Sequence, residues 1–316
     1  ILLMLIGPND DEAWIFVLDS SDSPQIKWAL SDKSLLLGTS SGDWVIYAEV
    51  TITPTDIRAE RQNAARSHLS RPVQIDREVF YIEQGNRKLR ATSYIRQKGA
   101  YSSSNASILM EHLVSTSGIT RLALQHIPEI MMTMVTGDGQ AIQFTYEQTL
   151  GVVAGTQLVT DGEIYDTCAY FALPESRDST YFVVQRNGLW NLERMRYPCS
   201  KVCTPLAANG IVLMDGWVNG TVAADADNGQ VGGLTHLEGK EVGVLVEDSW
   251  VGDFTVINGQ VLIPSKYVGQ EYAAGLLYTA HLETFEMDDN FQGTGLGTKR
   301  RWVNLYTRIL NSALPE

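Results

Sequence analysis

The sequence predicts an all-β protein: β-propeller-type blades of antiparallel hairpins, then a small β-sandwich or barrel. Three observations carry this. Residues 79–94, VFYIEQGNRKLRATSY, read as two strands around a tight turn at Gly85-Asn86, where Gly and Asn supply the positive φ of a two-residue hairpin. The design recurs at 35–47, 131–146 and 181–197, turning near Ser41-Gly42, at Gly137-Asp138-Gly139 and at Asn187-Gly188. Turn centres at residues 42, 86, 138 and 188 stand about 44, 52 and 50 residues apart, close to the period of four-stranded propeller blades. The side chains do not repeat closely, so the repeat is one of pattern.

In the 79–94 hairpin the first arm is wholly apolar: Val79, Phe80, Tyr81 and Ile82. The second alternates, with Leu89, Ala91 and Ser93 on one side and Lys88, Arg90 and Thr92 on the other. Alternation of period two predicts one buried face and one wet face.

Taken in order, residues 1–6 (ILLMLI) and 14–18 read as strands, and DSSDSP at 19–24 is a turn cluster. IKWAL at 26–30 opens the next strand, and Pro54 breaks the first hairpin because it cannot donate to a ladder. The polar stretch 56–70 suits a short helix capped by Asp56, or a long connection; Arg58, Arg61, Arg66 and His68 form its basic cluster. A loop is expected at 99–107, a short helix or extended connector at 108–114, and a strand at 119–124. Strands are expected at 151–160 and 163–172, around Asp161-Gly162.

Composition shifts after Pro198 towards Gly, Asn, Asp and Val. Residues 213–222 suggest another hairpin, followed by strands at 241–246, 253–257 and 260–264, with Asn258-Gly259 turning the last two. These spacings are shorter than a blade, so the expected division is blades over 1–204, a small sandwich or barrel over 205–290, and a glycine loop with a terminal strand over 291–316.

At 316 residues and 44% hydrophobic, the chain has ample material for a core. It contains no apolar run long enough for a transmembrane helix. The opening ILLMLI has no basic flank, which argues against a signal peptide. The abrupt start without Met suggests that the N-terminal part of a longer protein is missing. A net charge of −13, from 37 acidic and 24 basic residues, argues against a protein that grips nucleic acid; it is compatible with a wall past which DNA slides. Cys168, Cys199 and Cys203 are too few for a disulfide framework, and buried free thiols are expected.

No nucleophile elbow, HExxH, P-loop or dinucleotide fingerprint occurs; Gly293, Gly295 and Gly297 precede a strand-like run instead of a helix. His68, His112, His126, His236 and His281 are scattered, with no pair at ligand spacing. Glu111-His112 is an adjacent acid and base. Asp225-Ala226-Asp227-Asn228-Gly229 starts like a calcium loop, but the twelfth position is His236, so a turn is expected. Asp10-Asp11-Glu12 and Asp288-Asp289 are carboxylate pairs by type alone. Trp44 and Trp190 follow corresponding turns and are expected to pack blades.

LLLGTSSGDW at 35–44, ITPTDIRAERQ at 52–62, RPVQIDREVFYIEQGNRKLR at 71–90 and ILMEHL at 108–113 together resemble the propeller portion of podovirus tail nozzle proteins, the tail tubular protein B family. LTHLEGKEVGVL at 234–245, NGQVLIP at 258–264 and GLLYTAHLETF at 275–285 resemble that family's small β domain, and GTGLGTKRRWVNLYTRIL its terminal strand. The likeness runs in order over about residues 26–310; the 99–107 loop and the 198–233 linker fit poorly.

The resemblance implies a structural virion protein without enzymatic activity or cofactor, assembled in the host cytoplasm. Six copies would form a ring at the distal end of a short tail, below an adaptor, with fibres or other tail proteins outside. The ring would retain the viral double-stranded DNA and pass it during ejection. Ser41, Gly42, Gly137, Asp138 and Gly139 are the candidate lumen or subunit-contact loops. The competing readings are a carbohydrate-binding or glycan-cleaving receptor-recognition propeller and a cellular scaffold propeller that binds other proteins.

Overall fold

Each of the four repeated hairpins forms; the first three are the middle of a four-stranded antiparallel sheet, and the fourth belongs to a sheet with three strands among the described residues. The computed structural model describes residues 18, 23–49, 52–53, 56–147, 151–173, 176–196, 212–247 and 249–281. Sheet I comprises β1 (Ile26–Ser31), β2 (Leu35–Thr39), β3 (Asp43–Tyr47) and β4 (Arg58–Arg61) in sequential order. Sheet II comprises β5 (Val73–Ile75), β6 (Glu78–Ile82), β7 (Leu89–Ile95) and β8 (Ala100–Asn105). Sheet III comprises β9 (Ile119–Gln125), β10 (Met131–Thr136), β11 (Ala141–Glu147) and β12 (Val152–Leu158). Sheet IV has three strands among the described residues: β13 (Glu163–Ala172), β14 (Arg177–Arg186) and β15 (Leu189–Arg194).

The four sheets pack in series, and the alternation of β6 shows how. Val79 and Tyr81 join Trp28, Leu36 and Val45 of sheet I in one core cluster. Phe80 and Ile82 point the other way, into Met132, Met134, Ile142 and Phe144 of sheet III. Phe80 meets Phe144 edge to face at 6.3 Å. Sheet III in turn gives Val135 and Ala141 to Ile164, Phe182 and Val184 of sheet IV. A strand buried on both faces is apolar without alternation, which is why β6 reads as a continuous run. The expected wet face of β7 is corrected for the same reason: Thr92 is 2% exposed, and Arg90 is half-buried in an ion pair with Glu83.

Several expectations change. Residues 58–61 are a strand, because their backbone completes the ladder of β3, with Trp44 opposite Arg61 and Tyr47 opposite Arg58. The expected 99–107 loop is largely β8, paired with β7 from Arg90–Asn105 to Ile95–Ala100. Residues 108–114 form a short helical turn, 3-10 and then α, and Glu111 and His112 stand exposed on it. The strands on either side of Asp161-Gly162 belong to different sheets.

The chain divides into two compact units, Ile1–Tyr197 and Pro198–Glu316. In the second, β16 (Asp215–Thr221), β22 (Glu271–Leu276), β19 (Glu241–Val246) and β20 (Ser249–Thr255) form sheet V in that spatial order. Sheet VI is β17 (Ala223–Asp225), β18 (Asn228–Val231) and β21 (Val261–Pro264). Val222, Val231 and Ile263 share one core with Val242, Val244 and Val246, a sandwich arrangement in which no sheet closes into a barrel. The hairpin expected over 213–222 is one strand, β16, paired with β22. Asn258-Gly259 does turn the chain, with Asn258 at φ 54°, but β20 and β21 part into the two sheets and only Ile257 and Gln260 bridge. The expected strands at 1–6 and 299–310, the 291–298 glycine loop, Cys199, Cys203, Asp10-Asp11-Glu12 and Asp288-Asp289 lie outside the described residues.

Candidate functional site

The repeated turns hold successive sheets together. The Thr39 carbonyl at the first turn accepts from the Ser67 amide at 2.9 Å, and Ser67 bridges to Glu83 beside the second hairpin. The Asn86 carbonyl accepts from Ile119, the first residue of sheet III, at 2.7 Å. The Gly139 carbonyl accepts from Ile164 in sheet IV at 2.8 Å. A backbone hydrogen bond from the turn to the following segment therefore recurs at three of the turns.

These latches decide what the candidate contact loops present. Ser41 and Gly42 are buried. The Gly42 amide donates to Thr39 Oγ1 at 3.2 Å, and the Arg61 guanidinium donates to the Ser41 carbonyl. A side chain at residue 42 would strike the Asn63 carbonyl. This turn is occupied within its own chain. In the third turn Gly137 and Asp138 are exposed and Gly139 is buried against Glu163. Thr136 donates to Asp138 at 2.6 Å and holds its carboxyl below the usual range. Of the two candidate loops, only the one at this third turn offers surface.

Between sheets I and II lies a buried polar knot that sequence reasoning missed. Asp43, 3% exposed, accepts from Tyr81 Oη at 2.5 Å, from Asn63 Nδ2 at 2.7 Å and from Ser67 Oγ at 3.3 Å. Burial raises its pKa; the three hydrogen bonds and the Arg90 charge act against that rise. Burial and the Asp43 charge push the Tyr81 phenol upward in turn. Asp43 stands just before the apolar run Trp44–Ile46, the one local signal that could have marked it. Asn63 and Ser67 lie in the stretch read as helix or connection, where no periodicity pointed to them. Trp28 stacks obliquely on Tyr81 at 5.2 Å, over Gly38, where any Cβ would strike the indole.

A cleft of about 390 Å³ is lined by residues of sheets I and II, among them Tyr47, Glu60, Tyr94 and Tyr101, with Lys33 and Gln62. Its polar groups engage one another. Tyr47 donates to Glu60 at 2.5 Å, Lys33 sits 4.4 Å over the Tyr94 ring, and Tyr101 donates to Asp32 at 3.2 Å. Burial and Asp32 push the Tyr101 phenol up to about 12.

The aromatic expectations divide. Trp44 is buried at 5%, as are Phe80 and Tyr81 at 0%, but Trp190 is 58% exposed. Trp190 packs edge to face on Tyr165 at 4.7 Å, on the side of sheet IV away from sheet III. Cys168 is exposed on that sheet, which corrects the expected buried thiol. The histidines stay apart: His236 bonds the Gly216 carbonyl at 2.7 Å, and burial lowers the pKa of His68, helped by Arg121 and Lys27. Asp225–Asn228 closes a two-residue hairpin turn, as expected. Among the described residues no group of three His, Cys, Asp or Glu side chains could hold a metal, and no helix is long and apolar enough to cross a membrane. No family model and no curated protein matches the chain.

Proposed function

We propose that the chain is a structural subunit of a hexameric tail nozzle in a short-tailed bacteriophage, a ring that retains viral DNA and passes it during ejection. The observation that carries this reading is the ordered series of nozzle-like segments from about residue 26 to residue 310. The fold supports it: sheets in series, latched at their turns, make a stiff wall. The charge of −13 suits a conduit that does not bind phosphate. An adaptor above and fibres or other tail proteins outside would be the partners, and the DNA would pass without specific contacts. Native mass spectrometry with negative-stain electron microscopy tests the reading. Six-membered rings are expected; a monomer would sink it.

The second reading is a receptor-recognition protein that binds glycans. Exposed Trp190 and Trp250 favour it, since indole faces stack on sugar rings. Binding to host polysaccharide by a monomeric chain would favour this reading over the nozzle.

A further inference from the structure

Where β3 and β4 of sheet I meet β7 and β8 of sheet II, the seam between the sheets opens into the cleft of about 390 Å³, a size typical of small-molecule sites. One face of each sheet builds it. Val45 and Tyr47 of β3 pack with Tyr101 of β8, and the register sets Glu60 opposite Val45, so Glu60 shares the face turned towards sheet II. Tyr94 stands opposite Tyr101 across β7 and β8, and their rings meet edge to face at 5.3 Å. Tyr101 is 6% exposed and roots this wall in the core; Tyr94, at 39%, is its rim. Gln62 ties the two walls, since its Oε1 accepts from the Tyr101 amide at 2.8 Å. These contacts leave hydrogen-bonding capacity over. Tyr47 engages Oε1 of Glu60, and among the described residues Oε2 has no donor. Gln62 Nε2 donates to no described group. Lys33 Nζ lies 4.4 Å over the Tyr94 ring, a contact that uses none of its N–H groups in a hydrogen bond.

We propose that this cleft binds a ring of a neutral saccharide. The charges on its walls select against the other classes of ligand. A lone anion meets the Glu60 carboxylate, and a lone cation meets the Lys33 ammonium. A wholly apolar ligand covers both and satisfies neither, which costs free energy. A sugar ring carries hydroxyls that donate and accept, beside a face of C–H groups. Its hydroxyls can donate to Glu60 Oε2 and accept from Lys33 Nζ and Gln62 Nε2, and hydrogen bonds to ionised groups are the strong ones. The tyrosine rings supply an amphipathic wall for the C–H face. The site is separate from exposed Trp190 and Trp250, and it is compatible with a ring-forming subunit as well as with a monomeric receptor-recognition protein.

Saturation-transfer NMR on the full chain tests this, with the methyl glycosides of glucose, galactose, mannose and N-acetylglucosamine as probes. Each is compared with an unbranched tetrasaccharide of the same sugar, which separates a free sugar from a glycan chain as the source of the ring. Methyl glucuronide and glucosamine are the anionic and cationic contrasts. At least one neutral glycoside or its tetrasaccharide should bind, about tenfold more tightly than either charged contrast. Glu60→Gln should weaken that binding by about tenfold, the loss of a hydrogen bond to a charged group, and Tyr94→Ala should weaken it as well. Both should keep the wild-type circular dichroism spectrum, and Leu69→Ala, at a position 68% exposed, should bind as the wild type does. No transfer to any neutral probe overturns the proposal, as does a preference for glucuronide or glucosamine. Binding that survives Glu60→Gln and Tyr94→Ala but is lost in Trp190→Ala moves the sugar to sheet IV and overturns this site. Ring assembly is read separately by native mass, so a failure here leaves the nozzle reading standing, and a monomer that binds the sugar through Glu60 and Tyr94 sinks the nozzle and keeps the cleft.

Discussion

Tyr81 donates its phenolic proton to Oδ2 of Asp43 across 2.5 Å, and the bond joins sheet II to sheet I inside their shared core. With Asn63 and Ser67 it gives the carboxylate three donors, so the group is costly to bury and costlier to strip. Asp43→Ala takes the shared acceptor from Tyr81, Asn63 and Ser67, of which Tyr81 keeps Ser103 Oγ at 3.2 Å, and should destabilise the first unit by about 2–4 kcal/mol. Asp43→Asn keeps an oxygen for Tyr81 and Asn63 and a nitrogen for Ser67, and should stay within about 1 kcal/mol. Urea unfolding of the two variants checks this. Equal losses would mean that the charge, and not the hydrogen bonds, matters at this position.

The same residue sets a pH dependence. Burial raises the folded pKa of Asp43 above its ordinary 3.8. Its contribution is therefore fully present below that value and lost as pH rises through the folded one. Melting curves from pH 3.5 to 8 should show the wild type losing ground to Asp43→Asn as pH rises. His68 acts in the opposite sense: its folded pKa is lowered from 6.5, so its contribution is lost as pH falls below that point. His68→Asn should remove that acid-side loss. A constant gap between wild type and Asp43→Asn across the range would refute the assignment to Asp43.

The hairpins were legible because their turns are chemically marked: Asn86 and Asn187 hold φ 65° and 48°, and Gly85 and Gly188 also stand in the left-handed region. The partners of those hairpins were not. β4 and β8 carry Arg, Glu, Ser and Asn on sheet edges, so they show neither strong alternation nor an apolar run. In the second unit Asn258-Gly259 marked a true turn but not its consequence, since Phe254 of β20 and Ile263 of β21 pack on one core from two different sheets. The polar knot was hidden because Asp43, Ser67 and Tyr81 come from three separate segments, and only the packing of sheet I on sheet II brings them together.

The latch at the third turn gives a backbone prediction. Gly139 has φ 78°, and a Cβ there would lie 2.9 Å from Glu163 Cβ and 3.0 Å from its Cα. Gly139→Ala thus meets an unfavourable conformation and a clash with backbone that cannot swing aside. It should cost about 1–3 kcal/mol and raise hydrogen exchange at Ile164, whose amide bonds the Gly139 carbonyl. Gly85→Ala is the control: its φ is also positive, at 99°, but nothing lies within 4 Å. It should cost less and leave Ile164 protected. Protection at Ile164 that is unchanged in Gly139→Ala would remove the latch from the account of how sheets III and IV are held.

Arg186 is the most buried charge that closes sheet IV. Its side chain is 2% exposed, and it grips Glu193 through two parallel bonds of 2.6 and 2.8 Å across the β14–β15 hairpin. A third donor reaches the Asp161 carbonyl between β12 and β13. One guanidinium thus ties the hairpin to the connection by which the chain arrives from sheet III. Lysine cannot reproduce this fork, because an ammonium is a single point donor. Arg186→Ala strands Glu193 and should cost about 3–5 kcal/mol, the range for breaking a buried pair, while Arg186→Lys should fall between alanine and wild type. The double variant Arg186→Met with Glu193→Leu removes both charges and should recover most of the loss, since two apolar groups leave no uncompensated ion. Chemical denaturation of the three variants separates the cases. A double variant no better than Arg186→Ala would place the stabilisation in the bond to the Asp161 carbonyl instead of the ion pair.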